Sequence, residues 1–247
     1  MNPAHLTRVV TALFFAFAFV VPAAQITLTG PSGSGQFGKR TLILSNGNIV
    51  VTDPLFDNGA TADVGAVYLF KADGTLLSAI KGASANDQVG GGSIFLLKNG
   101  NIVIATSTWD NGAVSDAGAV TWVNGTTGAT VTGINATVSL ANSLVGSKTG
   151  DFSGAAVQDV GNGNYIVRAL LWDNGAASDA GMVLWSPGTT GQVGVVSSSN
   201  ALVGSTASDF VGTNVHILAN GNYVVRSLLW NNGAITDAGA VTFCDGN

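Results

Sequence analysis

The sequence has 247 residues, of which only 9% are charged and 34 are glycine, and it contains no glutamate. Glycine costs roughly 1 kcal/mol in a helix interior relative to alanine, so this composition argues against long helices. The formal net charge is −5 and the nine Lys and Arg residues form no cluster. We therefore expect no nucleic-acid partner, because nothing in the chain would neutralise a run of phosphates.

The N-terminal residues differ in composition from the rest of the chain. Arg8 precedes an apolar run over residues 9–21, and the small residues Ala23 and Ala24 follow it. This pattern predicts a secretory signal peptide over residues 1–23; an uncleaved anchor and a buried apolar helix are the alternatives. No later segment is apolar enough to cross a bilayer, so we expect a secreted or cell-surface chain without a membrane span.

Four copies of one unit occupy the rest of the chain. Each copy contains an Asn-Gly-Asn turn, and the first residues of these turns are 53, 63 and 58 positions apart: Asn46, Asn99, Asn162 and Asn220. Thirteen residues later each copy has the glycine of an Asp/Asn-Asn-Gly-Ala sequence: Gly59, Gly112, Gly175 and Gly233. These constant offsets define copies at approximately 31–82, 83–146, 147–204 and 205–247.

Each copy is predicted to form four short strands, which we name a to d in chain order. An Asn-Gly pair between β-branched and aromatic residues predicts a tight hairpin that joins strands a and b. The Asp-Asn-Gly-Ala loop then leads to strand c, and we expect strand d at Ala129–Ile134 in copy two and Gln192–Val196 in copy three. Four-stranded units 53 to 63 residues apart indicate an all-β fold, a β-propeller of four-stranded blades.

The number of blades is left open by the sequence. The segment Gln25–Thr29 stands before copy one where a strand d stands before each later copy, whereas copy four ends at Asn247 before its own strand d. If this segment completed the last blade, four blades would close into a ring and cover an open sheet edge. The alternative is a fragment of a larger propeller of about five to eight blades.

The copies resemble the FG-GAP repeats of integrin-alpha-type β-propellers over nearly the whole mature chain. A Phe-Gly or similar pair opens the FG-GAP blade, and the matching stretches are Gln36–Gly38, Gln88–Gly90, Asp151–Gly154 and Asp209–Gly212. A Gly-Ala-Val-Tyr-type strand follows later, matched at Gly65–Tyr68, Gly118–Thr121, Gly181–Leu184 and Gly239–Thr242. The resemblance implies a propeller fold.

The chain is also similar to the Asp-Asn-Gly-Ala repeats of uncharacterised bacterial surface proteins that look like adhesins. That similarity implies an extracellular location and a recognition role without naming a ligand. Calcium-binding FG-GAP repeats carry an Asp-x-Asp-x-Asp-Gly-x-x-Asp loop, whereas the corresponding segment here is Lys98–Ile102, which lacks carboxylates. The resemblance therefore implies no calcium site at that position.

The loop between strands b and c holds the only recurring pairs of acidic residues. Its candidate metal ligands are Asp57 and Asp63, Asp110 and Asp116, Asp173 and Asp179, and, beside Asn231 in copy four, Asp237. Calcium prefers six to eight oxygen ligands, and two carboxylates six residues apart make an incomplete set. We favour the interpretation that these side chains shape Asx-type turns, so calcium is a weakly supported cofactor and no other is expected.

Other conserved positions among the copies favour structural roles. Arg168 and Arg226 occupy one position of strand b and are expected to pair with an Asp of their own or an adjacent blade. Aromatic residues at equivalent positions are expected to fill the core between blades: Phe56, Trp109, Trp172 and Trp230 before the b–c loop, and Trp122, Trp185 and Phe243 in strand c.

Catalytic residue types are scarce in the sequence. The chain after residue 23 holds one histidine, His216, one cysteine, Cys244, and no Glu, so no nucleophile–base set or metal triad follows from spacing. We therefore expect a non-enzymatic binding or adhesion module whose partner is an extracellular protein or glycan. A secreted carbohydrate-active propeller hydrolase using paired Asp residues, and a passive spacer joined to further repeats of the same polypeptide, are the alternatives.

Overall fold

The computed structural model describes residues 25–246, which form β-strands and turns. The predicted signal peptide, residues 1–23, lies outside the described residues. Within the described range, no helix has the length and apolar character needed to cross a bilayer.

Four sheets follow one another along the chain, one in each of the four copies, which we call units 1 to 4. The strands of unit 1 are β1 Thr41–Ile43, β2 Ile49–Asp53, β3 Ala66–Phe70 and β4 Leu76–Lys81. Unit 2 has β5 Ile94–Leu96, β6 Ile102–Thr106, β7 Ala119–Val123 and β8 Ser143–Val145. Unit 3 has β9 Ala156–Asp159, β10 Tyr165–Ala169, β11 Met182–Ser186, β12 Gly194–Val195 and β13 Leu202–Val203. Unit 4 has β14 Asn214–Ile217, β15 Tyr223–Ser227 and β16 Ala240–Cys244.

Neighbouring strands of each unit pair antiparallel in the predicted order a-b-c-d, and unit 4 has only strands a to c. The predicted positions of strand d were wrong in units 2 and 3. Residues 129–134 form a turn with a single bridge between Thr130 and Gly133, and the fourth strand is β8. In unit 3 the fourth strand is β13, whereas β12 pairs parallel with β8 of unit 2. The long c–d connection thus extends the preceding sheet before its own unit is completed.

The sheets stack face to face because their central strands are apolar on both sides. All five residues of β6 are buried. Ile102 and Ile104 belong to the core shared with unit 1, whereas Val103 and Ala105 belong to the core shared with unit 3. A strand buried on both faces reads as a continuous apolar run, which is why strand b lacks the alternation of a half-exposed strand.

The Asn-Gly-Asn turns bind each unit to the next one. The side-chain amides of Asn99 and Asn101 in unit 2 each donate to the carbonyl of Gly188 in unit 3. The same bonds join unit 1 to unit 2 and unit 3 to unit 4: Asn46 and Asn48 to Gly125, and Asn162 and Asn164 to Gly246. This end of every sheet is therefore occupied by contacts between units.

The predicted place of the repeated aromatic residues in the core between units is confirmed at five of seven positions, and Phe56 and Phe243 are the exceptions. Trp109 belongs to the core between units 1 and 2, and Trp122 and Trp172 to the core between units 2 and 3. Trp185 and Trp230 pack at the third interface, and Phe56 lies under the N-terminal segment. The Phe243 side chain is 64% exposed on the outer face of unit 4.

The two ends of the stack are finished differently. Leu28 and Phe37 of the N-terminal segment pack against the outer face of unit 1. The segment Gln25–Thr29 pairs with no strand, and β16 has no strand on its second edge among residues 25–246. The described chain therefore forms no closed ring, contrary to the four-blade closure considered from the sequence.

Candidate functional site

The b–c loops share one hydrogen-bond pattern in all four units. In each loop the first side chain of the candidate pair accepts a hydrogen bond from the backbone N–H of the second residue. These bonds join Asp57 to Asp63, Asp110 to Asp116, Asp173 to Asp179, and Asn231 to Asp237 over 2.8 to 2.9 Å. The first acid is therefore engaged in closing the loop, which Asn231 does equally well without a charge.

The second acid of each loop holds a left-handed backbone conformation. Its φ lies between +51° and +52° in all four units, at Asp63, Asp116, Asp179 and Asp237. Asp and Asn adopt this conformation more readily than other non-glycine residues. The backbone geometry explains the recurrence of Asp at this position.

The tips of these loops are open to solvent. Gly59, Gly112, Gly175 and Gly233 have no atom within 4 Å of the place where a side chain would begin. Residues 25–246 contain no group of three or more His, Cys, Asp or Glu side chains arranged to hold a metal ion. Within residues 25–246 the carboxylate of the second acid of each loop is in no hydrogen bond or ion pair.

A second set of acids, which the sequence interpretation did not select, lies fully buried at the start of units 2 to 4. These are Asp87, Asp151 and Asp209. One carboxylate oxygen of Asp151 accepts from the backbone N–H groups of Ser147 and Lys148, and the other from that of Asp173, in the b–c loop. Asp87 and Asp209 make the equivalent bonds. The buried acid therefore holds the b–c loop on the opening turn of its unit.

The sequence contained a signal for this role. Each of these acids comes five residues after the glycine that ends the preceding strand d: Gly82, Gly146 and Gly204. A side chain added at that glycine would lie within 3 Å of the acid's β-carbon. Unit 1 has Gly35 at the equivalent position, and there Asp53 accepts from the N–H groups of Gly35 and Gln36 instead.

The environments of Asp87 and Asp209 differ by two groups, and their pKa values move in opposite directions. Burial raises the pKa of Asp87, and the nearby Asp110 carboxylate adds to this effect. Burial also acts to raise the pKa of Asp209, but hydrogen bonds from the Thr206 hydroxyl and from backbone N–H groups outweigh it and lower the pKa. Asn231, in the place of Asp110, donates to the Thr206 hydroxyl oxygen at 2.8 Å.

We expect Thr206→Val to make unit 4 more sensitive to acid. A lowered carboxyl pKa contributes stability that is present above the unfolded value, about 3.9, and is lost as pH falls through the folded value. Removing the hydroxyl raises the folded pKa of Asp209, so that loss begins at a higher pH. Circular dichroism during acid titration, with the pKa of Asp209 followed by carboxyl NMR, measures both quantities.

Thr149→Val is the matched control for this titration, because the Thr149 hydroxyl donates to the carbonyl of Ser115 and not to a carboxylate. An unchanged pKa of Asp209 in Thr206→Val would contradict the role given to the hydroxyl.

Two cationic side chains near the loops, Arg168 and Lys148, make hydrogen bonds or an ion pair within the protein. Arg168 donates to the carbonyls of Gly212 and Thr213 in unit 4, each at 3.2 Å. The predicted pairing with an Asp is wrong for Arg168 and Arg226, since neither is in an ion pair within residues 25–246. Arg168 bridges to the next unit through carbonyl oxygens instead. Lys148 contacts Asp173 at 3.3 Å, the single ion pair within residues 25–246, and also bonds the carbonyl of Gly175.

One family model matches the chain in four places. The model of a repeat of unknown function, DUF5650, matches residues 43–91, 96–155, 159–213 and 217–247. The chain belongs to this repeat family. The four matches confirm that the unit occurs four times, and each matched range includes the Asn-Gly-Asn turn and the b–c loop described above.

The other comparisons add no function. A crystal structure of a protein of unknown function from Bacteroides caccae is similar over 80% of this chain and 58% of that chain, with 13% identity and a TM-score of 0.31. This chain thus spans less than two thirds of that protein. No curated protein matches the sequence.

Proposed function

We propose that the DUF5650 units form a propeller-type array, each unit one blade, and that the array is a non-enzymatic binding or adhesion surface displayed outside the cell. The stacking of sheets of three to five strands through both faces of strand b supports the blade assignment. The apolar N-terminal run followed by small residues supports export. A protein or glycan with repeated polar groups is the partner class that suits a repeated surface.

The row of four b–c loops is the observation on which this proposal rests. At the opposite ends of the sheets, the side-chain amides of the Asn-Gly-Asn turns donate hydrogen bonds to the next unit. The tips of the b–c loops, in contrast, are open to solvent. Each loop repeats the same backbone shape and offers one free carboxylate together with exposed peptide groups. Sheets that pack face to face lie about 10 Å apart, so a partner with a repeating structure can engage several loops at once and gain avidity.

The experiment compares the parent chain with a variant in which the second acid of every loop becomes Asn, namely Asp63→Asn, Asp116→Asn, Asp179→Asn and Asp237→Asn. Asn tolerates the left-handed backbone at least as well as Asp, so the fold is expected to persist. Both proteins are applied to arrays of glycans and of extracellular-matrix proteins.

We expect the parent to retain a ligand and the fourfold variant to lose at least ten-fold in apparent affinity. Circular dichroism and the thermal midpoint serve as the control for folding. A parent chain that retains nothing, or a variant with undiminished binding, would show that the loop row is not a recognition surface.

A further inference from the structure

The outer face of unit 4 lacks the cover that the same face has in every earlier unit. This C-terminal face consists of Val224, Arg226, Val241 and Phe243, which lie opposite one another on β15 and β16. Val241 is 73% exposed, whereas its equivalents Val67, Val120 and Val183 are at most 2% exposed because the following unit covers them. The face therefore has the composition of an interface between units, and no further unit covers it within residues 25–246.

The N-terminal segment stands in the place of a fourth strand that belongs to a preceding unit. Leu28 packs on the core of unit 1 as Ile80 does on the core of units 1 and 2. Ile26 touches the turn at Gly74 of unit 1. In the same way Ser78, two residues before Ile80, touches the turn at Gly128 of unit 2. Residues 26–30 thus occupy the position of a strand d and pair with no strand c among residues 25–246.

These two ends are complementary, since unit 4 has a strand c without a strand d. We propose that a second copy of this chain docks on the C-terminal face, head to tail, and supplies its segment Ile26–Gly30 as the fourth strand of unit 4. The register follows from units 2 and 3, where Ala119 pairs with Val145 and Met182 with Val203. It places Thr29 opposite Ala240, Leu28 opposite Val241, and Thr27 opposite Thr242.

Side-chain chemistry at the junction follows the internal interfaces. In unit 2 the pair equivalent to Thr242 and Thr27 is Thr121 and Ser143, whose hydroxyls share a hydrogen bond of 2.7 Å. Two threonines can form the same bond. A cavity of about 410 Å³ beside β16, lined in part by Ala240 and Thr242, provides the space for these side chains.

Hydrogen bonding of the Arg226 side chain supports the same arrangement. Arg168, the equivalent of Arg226, donates to the carbonyl of Gly212 in the next unit, and the N–H of that glycine bonds Ser227. In the second copy the residue equivalent to Ser227 is Asp53, whose Oδ2 atom is buried and has no hydrogen-bond partner among residues 25–246. By equivalence with Arg168, docking would bring Arg226 to the carbonyls of Gly38 and Lys39, whose N–H groups bond the carbonyl of Thr52, the residue before Asp53. A hydrogen bond donated by a guanidinium group is strong there.

The receiving side also has room for the exposed residues of unit 4. A cavity of about 530 Å³ opens on the outer face of unit 1 and is lined by Phe56, Tyr68, Leu76 and Ala79 among others. These apolar residues can contact Phe243 and Val241, although Asn58, Lys81 and Asn135 also line the cavity. A head-to-tail interface of this kind generates a ring if the rotation closes and an open chain of copies if it does not.

The test measures the mass of the intact secreted chain by analytical ultracentrifugation over a hundred-fold range of concentration. We expect the parent to associate, as a discrete oligomer or as species that grow with concentration. Phe243→Asp should block the C-terminal face and Leu76→Asp the outer face of unit 1, so each variant alone should be a monomer. Leu140→Asp, at an exposed position of unit 2, is the control and should behave as the parent.

Mixing the two blocked variants separates the possible modes of association. A head-to-tail junction predicts that the equimolar mixture forms dimers and nothing larger, because each dimer uses the one intact face of each variant. Association of two C-terminal faces would instead leave Leu76→Asp fully associated, and it would overturn the proposal, as would a parent chain that is monomeric throughout.

A cross-link tests the register without depending on the mass. Thr27→Cys and Thr242→Cys, in chains that also carry Cys244→Ser, should form a disulfide between copies under mild oxidation. Thr27→Cys with Val241→Cys, whose side chain lies on the other face of β16, is the matched control and should cross-link at least ten-fold more slowly. Equal rates for the two pairs, or a disulfide confined to single chains, would rule out the proposed junction.

Discussion

Asp151→Asn is expected to lower the free energy of unfolding by about 3 kcal/mol, since each buried donor left without an acceptor costs roughly 1 to 3 kcal/mol. The carboxylate of Asp151 is fully buried and accepts from three backbone N–H groups and from the Ser147 hydroxyl. An Asn side chain keeps one acceptor oxygen and turns its amide toward N–H groups that need an acceptor. Urea denaturation followed by tryptophan fluorescence measures the loss.

Asp116→Asn makes the same chemical change on the exposed part of a b–c loop and serves as the control. Substitutions at such sites usually change stability by less than about 0.5 kcal/mol. Because repeat proteins can unfold unit by unit, hydrogen exchange of the opening turn and b–c loop of unit 3 should accompany the urea curve. Equal effects of the two substitutions would show that the buried acid does not hold the loop.

Trp122→Ala is expected to lower the free energy of unfolding by about 4 kcal/mol, which is in the range found when buried aromatic residues are replaced by alanine. The Trp122 side chain is 6% exposed, fills the core between units 2 and 3, and donates its indole N–H to the carbonyl of Gly188 at 2.9 Å. Trp122→Phe should cost less, because Gly188 still accepts from Asn99 and Asn101. Thermal and urea unfolding of the parent, Trp122→Phe and Trp122→Ala measures whether stability falls in that order.

Phe243→Ala tests the same repeat position where no unit covers it. The comparison is made in the Leu76→Asp background, in which association between copies is blocked. In that background we expect the free energy of unfolding to change by less than about 0.5 kcal/mol, because an exposed side chain leaves no cavity when it is shortened. A cost for Phe243→Ala close to that for Trp122→Ala would mean that the two positions do not differ in burial as described.

Repetition made much of this fold predictable. Four equal sets of turn residues at fixed offsets identified strands a, b and c. The unbroken apolar run Ile102–Ala105 is typical of a strand that is buried on both faces, as β6 is. The Asx-type loops followed from the preference of Asp, Asn and Gly for turns. Strand d was misplaced because the c–d connection carries several short apolar stretches, and which of them pairs depends on the preceding sheet.

The candidate site was predictable only in part, since a sequence shows which acids recur but not which are buried. The exposed pairs of the b–c loops were selected, whereas Asp87, Asp151 and Asp209, which hold these loops in place, were not. Their burial results from the folding of the opening turn over the end of strand d, a contact between segments that are more than twenty residues apart in the case of Asp151 and Asp173.

By itself the sequence determined that the chain is all-β and built of four equivalent units. Glycine, Asn-Gly turns and strands with apolar residues on both faces restrict the local backbone independently of its tertiary contacts. Only the tertiary structure decided which segment completes each sheet and how the stack ends. The choice of the fourth strand and the cover of the end faces depend on the free energy of packing one unit against another. That free energy is set by the shape of the neighbouring face, which cannot be deduced from a local sequence pattern.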